Sequence, residues 1–310
     1  VKRVLIVGLV ALVLPGAALA WDGTYPTGDA SGTSIHIVVD DSYPVDQTLP
    51  QSWATYLGSL PHGAELSLLT LDLMPLSTVE SNKYCGDQSL ACYDPNTDTI
   101  YAAPEDQLDE PPAKEIVTHE YGHHIANNQR DAPWSAEDYG TKRWSSAENI
   151  CARAAAGSAY PGNEGGAYSL NPGEAFAESY RVLALQALGQ TPSGWDIVNQ
   201  TFYPNAKDLQ ALQEDITSPW TGPTVRHVHG SFGNGTTRTI GVQTTLDGSF
   251  AAQLHAPSKA RFELELYNRG TLVARSRTNV RFEICGQRQL TLKVQRLSGR
   301  GSFTVDVSKP

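Results

Sequence analysis

The sequence predicts an α+β domain, a small mixed sheet with several helices, followed by an all-β sandwich. Three observations carry this prediction. Helix-compatible stretches end before residue 220, seven short alternating segments fill the remainder, and the charge changes sign at the same place. Residues 21–220 hold 8 Lys+Arg against 28 Asp+Glu, net -20, whereas residues 221–310 hold 13 against 5, net +8. A length of 310 residues agrees with two domains, and 40% hydrophobic with 18% charged residues excludes a disordered or collagen-like chain. An acidic body argues against a dedicated nucleic-acid binder, because phosphate contacts need clustered Lys and Arg. The basic second part leaves room for an anionic cell-surface polymer as partner.

Residues 1–20 have a short positive start (Lys2, Arg3), an apolar run from Val4 to Leu14, a Pro15-Gly16 break and Ala18-Leu19-Ala20 before Trp21. This is the layout of a secretory signal peptide. The apolar run is shorter than the ~20 residues a spanning helix needs. Val1 in the initiator position suggests a GTG start and a bacterial gene, and the mature chain is expected to be secreted, with no stable membrane span. Residues 21–33 are turn-rich and are expected to form a flexible leader. Residues 34–40 and 65–73 read as strands, residues 49–60 as a helix bounded by prolines, and residues 91–103 as a hairpin turning at Asp94-Pro95-Asn96. Helices are expected over 114–127, 136–156, from residue 172 or 173 to 188, and near 205–214. The helices therefore fall in a domain spanning residues 34–219, and the seven strands, beginning at residue 236, in a second domain spanning 220–310.

Four cysteines suit an oxidising destination. Cys85 and Cys92 flank a turn-prone loop where a local disulfide is expected. By elimination Cys151 could then pair with Cys285 and staple the two halves together, although four cysteines allow three connectivities and either residue could instead be a buried thiol.

The chemistry concentrates in His119-Glu120-Tyr121-Gly122-His123. Histidines four apart on a helix share a face, so both imidazoles reach one divalent ion, and Glu120 stands beside them to take a proton from water. Zinc brings the pKa of a coordinated water toward ~7, which suits attack on a carbonyl. A catalytic zinc usually has three protein ligands. The position six residues after His123 is Gln129, so a third histidine there is excluded. His124 points about 100° away from His123 around the helix and is expected in a supporting or surface position. Glu174 and Glu178, four apart in NPGEAFAES, are the best remaining donors, with Asp138 a further possibility. Asn171, Pro172 and Glu174 also make a capping arrangement, which accounts for Glu174 but not for Glu178.

HEYGH followed by NPGEAFAES resembles the gluzincin class of zinc metallopeptidases, particularly the branch similar to the anthrax lethal factor catalytic domain. The resemblance covers residues 100–188. It implies a zincin-like fold with one catalytic Zn2+ held by His119, His123 and Glu174, Glu120 as general base, and Tyr168 as a stabiliser of the transition state. Glu178 then supports a ligand histidine. The implied activity is that of a secreted zinc metalloendopeptidase acting on a peptide or protein substrate. A β-strand at residues 99–102 is expected to offer a sheet edge to that peptide. The alternative reading is a non-catalytic surface or cell-wall binder with a structural or degenerate zinc site. A third is metal-dependent hydrolysis of a non-peptide amide. His227 and His229 alternate on one strand face and could bind metal, but no carboxylate or cysteine near them in sequence completes a set, and a plain surface role is preferred. His36, His62 and His255 are read as isolated.

Overall fold

The computed structural model describes residues 21–310 apart from Asn82, so the expected signal peptide lies outside the described residues. The first half is built on a five-stranded sheet. Its strands β1 (Trp21–Pro26), β2 (Ser34–Val39), β3 (Thr70–Leu73), β4 (Ala91–Asp94) and β5 (Thr99–Ala102) lie in the order β1-β2-β3-β5-β4. β2, β3 and β5 are parallel, and β1 and β4 are antiparallel edges. Parallel neighbours need a crossover, and α1 (Thr48–Ser59) supplies the one between β2 and β3. Ile35, Ile37 and Val39 alternate into the core from β2, where they meet Leu71, Leu73 and Ile100 from the neighbouring strands and Trp53 and Leu57 from α1. After the short α2 (Leu76–Val79) and the β4–β5 hairpin come α3 (Ala113–Asn127), α4 (Ala136–Tyr139), α5 (Lys142–Ala147), α6 (Ile150–Ala155), α7 (Pro172–Ala187) and α8 (Ala206–Thr217). Asn205 and Asp208 close a capping box at the start of α8.

Four segments differ from the sequence expectation. Residues 21–26, expected in a flexible leader, form β1 along β2, and Tyr25 enters the core at 7% exposure. Glycine and proline mask a strand signal that only Tyr25 carries. Residues 64–68 of the expected strand form a 3-10 turn instead. Leu66 and Leu69 both bury from it, and Glu65 accepts the Gly63 N–H at 2.7 Å, which a straight strand would not allow. The expected helix over 136–156 is three short ones. Gly140 (φ 78°) and Asn149 (φ 54°) break it in left-handed backbone, and Trp144 packs where a Gly140 Cβ would stand.

The fourth difference lies beyond α8. The second half has eight strands rather than seven: β6 (Thr224–Phe232), β7 (Thr237–Gln243), β8 (Gly248–His255), β9 (Arg261–Asn268), β10 (Thr271–Ser276), β11 (Asn279–Ile284), β12 (Gln289–Ser298) and β13 (Gly301–Lys309). They make two antiparallel four-stranded sheets, β10-β9-β12-β7 and β11-β8-β13-β6, around one core. Phe232, Phe262 and Phe303 meet edge-on in that core, with ring centres 5.0 and 5.8 Å apart for the two T-shaped pairs. β6 is hard to read in sequence because its first four residues are all exposed and a glycine stands at 230 between the inward Val228 and Phe232, so the alternation is faint.

Disulfides join Cys85 to Cys92 and Cys151 to Cys285. The second ties α6 to the turn after β11. Beside it the Asp247 N–H donates to Ser146 Oγ (2.9 Å), and Arg288 donates to the Ser146 carbonyl (2.9 Å) while pairing with Asp247. No helix among the described residues is long and apolar enough to cross a membrane.

Candidate metal centre

α3 carries His119, Glu120 and His123, and α7 carries Glu174 and Glu178. The helices meet at Gly122. A Cβ there would stand 2.7 Å from Ala177 Cα and 3.1 Å from its carbonyl oxygen, so only glycine permits this approach. α7 starts where it does because Asn171 Oδ1 accepts the Gly173 N–H at 3.1 Å and Pro172 fits the first helical position. Glu174 therefore sits in the first turn, and its carboxylate reaches across to α3.

Glu174 Oε2 is 3.2 Å from His119 Nε2, and Oε1 is 3.5 Å from His123 Nε2. One donor atom from each of these three residues lies within 4.8 Å of the other two. Tyr168, on the loop before α7, donates its hydroxyl to Glu174 Oε2 at 2.6 Å. Glu120 lies beside the group, 9% exposed. Glu178 stands behind His119, its Oε2 3.8 Å from Nδ1 and thus beyond a hydrogen bond. That Nδ1 is buried without a partner. Glu178 itself is gripped by Arg181, whose Nε and Nη2 donate at 2.9 and 2.8 Å, and Arg181 also pairs with Glu115. The edge of Trp195 covers His119 with ring centres 5.2 Å apart.

The electrostatics are those of a carboxylate-rich pocket that favours positive charge. Burial would lower the His119 imidazole, but a hydrogen bond and charge from Glu174, with the nearby carboxylates of Glu178 and Glu120, outweigh it and push it up to about 10. His123 is raised against burial by Glu174 in the same way. Burial would raise Glu174, yet His123 and His119 hold it well below the usual carboxylate range. Glu120 goes the other way, because burial raises its carboxyl more than the two histidines lower it.

The group opens on a cleft of about 760 Å³. One wall is β4 with the Cys85–Cys92 loop, and Glu137, Asp138 and Glu164 add further carboxylates, with no Lys or Arg among the lining residues. Asp138 lines this cleft but does not join the three-residue donor group. The edge strand beside the cleft is β4. Residues 99–102, expected to be that edge, form β5, which is paired on both sides. His124 is fully buried away from the cleft, its Nε2 2.8 Å from the Glu65 carbonyl. Sequence reasoning overlooked Arg181 and Trp195. Arg181 had a signal, three residues beyond Glu178 on one helix face, whereas Trp195 arrives from a loop and had none.

Comparison with protein-family models and with curated proteins finds no match. Solved structures give faint likenesses. One is a mitogen derived from Yersinia pseudotuberculosis (15% identity, TM-score 0.25, 28% of this chain and 87% of that one). Another is a periplasmic inhibitor of g-type lysozyme from Aeromonas hydrophila (11% identity, TM-score 0.25, 29% of this chain and 89% of that one).

The Gly122 contact makes a direct prediction. In Gly122→Ala the new methyl meets backbone of α7, so the helices must part, at a stability cost of about 1–3 kcal/mol. Denaturant melts should show that loss, and zinc titration should show weaker binding, since the donors ride on the two helices. Unchanged stability and affinity would mean that the close approach is not needed.

Proposed function

We propose that the chain is a secreted zinc metalloendopeptidase. The observation that carries this reading is the convergence of two imidazoles and a carboxylate at the floor of a cleft, with the raised carboxyl of Glu120 alongside. Donors about 2.0–2.1 Å from an ion at the tetrahedral angle lie roughly 3.3–3.4 Å from one another. The separations of 3.2 and 3.5 Å from Glu174 to the two histidines suit that spacing. The orphaned His119 Nδ1, facing Glu178, suits a ligand imidazole whose tautomer is set from behind. His119, His123 and Glu174 would hold the ion, in a zincin-like arrangement.

Bound Zn2+ supplies acidification of water and polarisation of a carbonyl. Glu120 takes the proton from the attacking water and delivers it to the leaving amine. The Tyr168 hydroxyl, released from Glu174, donates a hydrogen bond where negative charge develops on the substrate oxygen. The free edge of β4 aligns an extended peptide by main-chain hydrogen bonds. The carboxylates of the cleft wall suit a substrate carrying positive charge, and two disulfides suit an extracellular setting.

The test pairs metal content with casein or gelatin hydrolysis. Purified protein is expected to contain zinc, to lose activity after 1,10-phenanthroline treatment and dialysis, and to regain it with ZnCl2. Free zinc at about 100 times the dissociation constant should also stabilise the fold by ~2.7 kcal/mol. Tight zinc with no hydrolysis, together with cell-wall binding by the basic strands, would favour the non-catalytic surface binder instead. Hydrolysis confined to non-peptide amides would sink the endopeptidase reading.

A further inference from the structure

The β11-β8-β13-β6 sheet brings His255, isolated in the sequence, toward the His227 and His229 pair. His227 and His229, two residues apart, lie on the solvent face of the β11-β8-β13-β6 sheet. In the register of β13, Asp306 stands opposite His227, and Thr304 stands opposite both His229 and His255 of β8. Two of the chain's 8 histidines, His227 and His255, thus meet on one carboxylate, with His229 beside them on Thr304. Asp306 is the partner that sequence reading did not find, because 79 residues separate it from His227.

The hydrogen bonds fix what these rings present. His227 Nδ1 is 2.6 Å from Asp306 Oδ1, and His255 Nε2 is 3.0 Å from Oδ2. A carboxylate only accepts, so each of those nitrogens carries the hydrogen, and in a neutral ring the lone pair moves to the other nitrogen. For His227 that is Nε2. His229 Nδ1 is engaged by Thr304 Oγ1 at 3.0 Å, and in the tautomer in which the hydroxyl accepts, its Nε2 carries the lone pair as well. Residues two apart on a strand stand roughly 6.6–6.8 Å apart on one face, close enough for two imidazoles to lean toward one ion. Carboxylate support behind an imidazole is the arrangement that orients ligand histidines and raises their basicity. Both His rings on Asp306 are open to water, with side-chain exposures of 64% for His227 and 53% for His255.

We propose that His227 and His229, backed by Asp306 and Thr304, form a surface site for a divalent transition-metal ion, separate from the His119 centre. Imidazole donors suit Zn2+, Cu2+ and Ni2+, and water fills the remaining positions. Two neutral imidazoles bind more weakly than a buried three-ligand set, so the site fills after the His119 centre.

Equilibrium dialysis of the full chain against ZnCl2 near neutral pH tests this. The native chain is expected to bind a tight equivalent and a second, weaker one. His227→Ala/His229→Ala should lose the weaker class and keep the tight one, and His119→Ala/His123→Ala should do the reverse. Asp306→Asn, which keeps every imidazole, should weaken the second class about tenfold, within the 10–100-fold usual for a supporting group. A His227→Ala/His229→Ala isotherm identical to the native one, or a native chain with no second class, overturns the proposal. A weak class that survives while the tight one is absent leaves this site standing and removes the metallopeptidase reading instead.

Discussion

Glu120→Ala is expected to bind zinc as the native chain does and to lose casein hydrolysis by about 10²–10⁴-fold, the usual contribution of a positioned general base. The two halves of that result come from separate features. Glu120 is not among the three donors grouped at the centre, so removing it leaves His119, His123 and Glu174 where they are. Glu120 lines the open cleft, so truncating it leaves space that water fills rather than a closed cavity. The fold should therefore keep its melting temperature. The loss then falls on kcat, because the proton of the attacking water has no other acceptor so placed. A Glu120→Ala protein with native kcat would end the endopeptidase reading whatever its zinc content. Loss of zinc binding as well would show that Glu120 holds the ion rather than the proton.

How much of this could be read from the sequence follows from how local each signal is. The α3 pair was legible because four residues separate His119 from His123, and helical geometry alone puts them on one face. Glu174 needed a second helix in the right orientation, and its N-terminal signals, Asn171 and Pro172, made that helix legible while leaving Glu174 and Glu178 both open. What separates them is a tertiary fact, the Gly122–Ala177 contact, which brings the first turn of α7 over the two imidazoles and sets Glu178 behind them. The free sheet edge beside the cleft was missed for a related reason. Both strands of the β4–β5 hairpin read alike in sequence, and only the pairing of β5 with β3 decides which one is left free. β1 and β6 were missed because neither repeats an apolar residue at every second position, and the carboxylate beside His227 because strand register is invisible to a linear scan.

The largest stability effect is expected at Arg181. It is 1% exposed and sits between Glu178, also 1% exposed, and Glu115. Arg181→Leu keeps much of the volume but leaves two buried carboxylates without their cation, a change of about 3–5 kcal/mol. The sign of its pH dependence distinguishes lost charge pairing from lost packing. In the native fold burial would raise the Glu178 carboxyl, but the hydrogen bonds and charge of Arg181, with the nearby His119 imidazole, hold it below the ordinary range. A carboxyl depressed in the folded state adds stability above its unfolded pKa, near ~4.3 for glutamate, and loses it as pH falls through the folded value. Without Arg181 the burial remains and the main counterweight is gone, so the folded pKa rises. Stability is then fullest below ~4.3 and declines as pH rises toward the raised value. Metal-free Arg181→Leu protein should accordingly fall short of native by more near pH 8 than near pH 5, and Glu178→Gln with Glu115→Gln in the same background should recover part of the loss. A deficit that is equal at both pH values, and that the two glutamines leave unchanged, would mean that Arg181 acts by filling space. The same variant links stability to the centre: a Glu178 that takes up a proton no longer braces His119, so zinc affinity should fall about 10–100-fold along with the melting temperature.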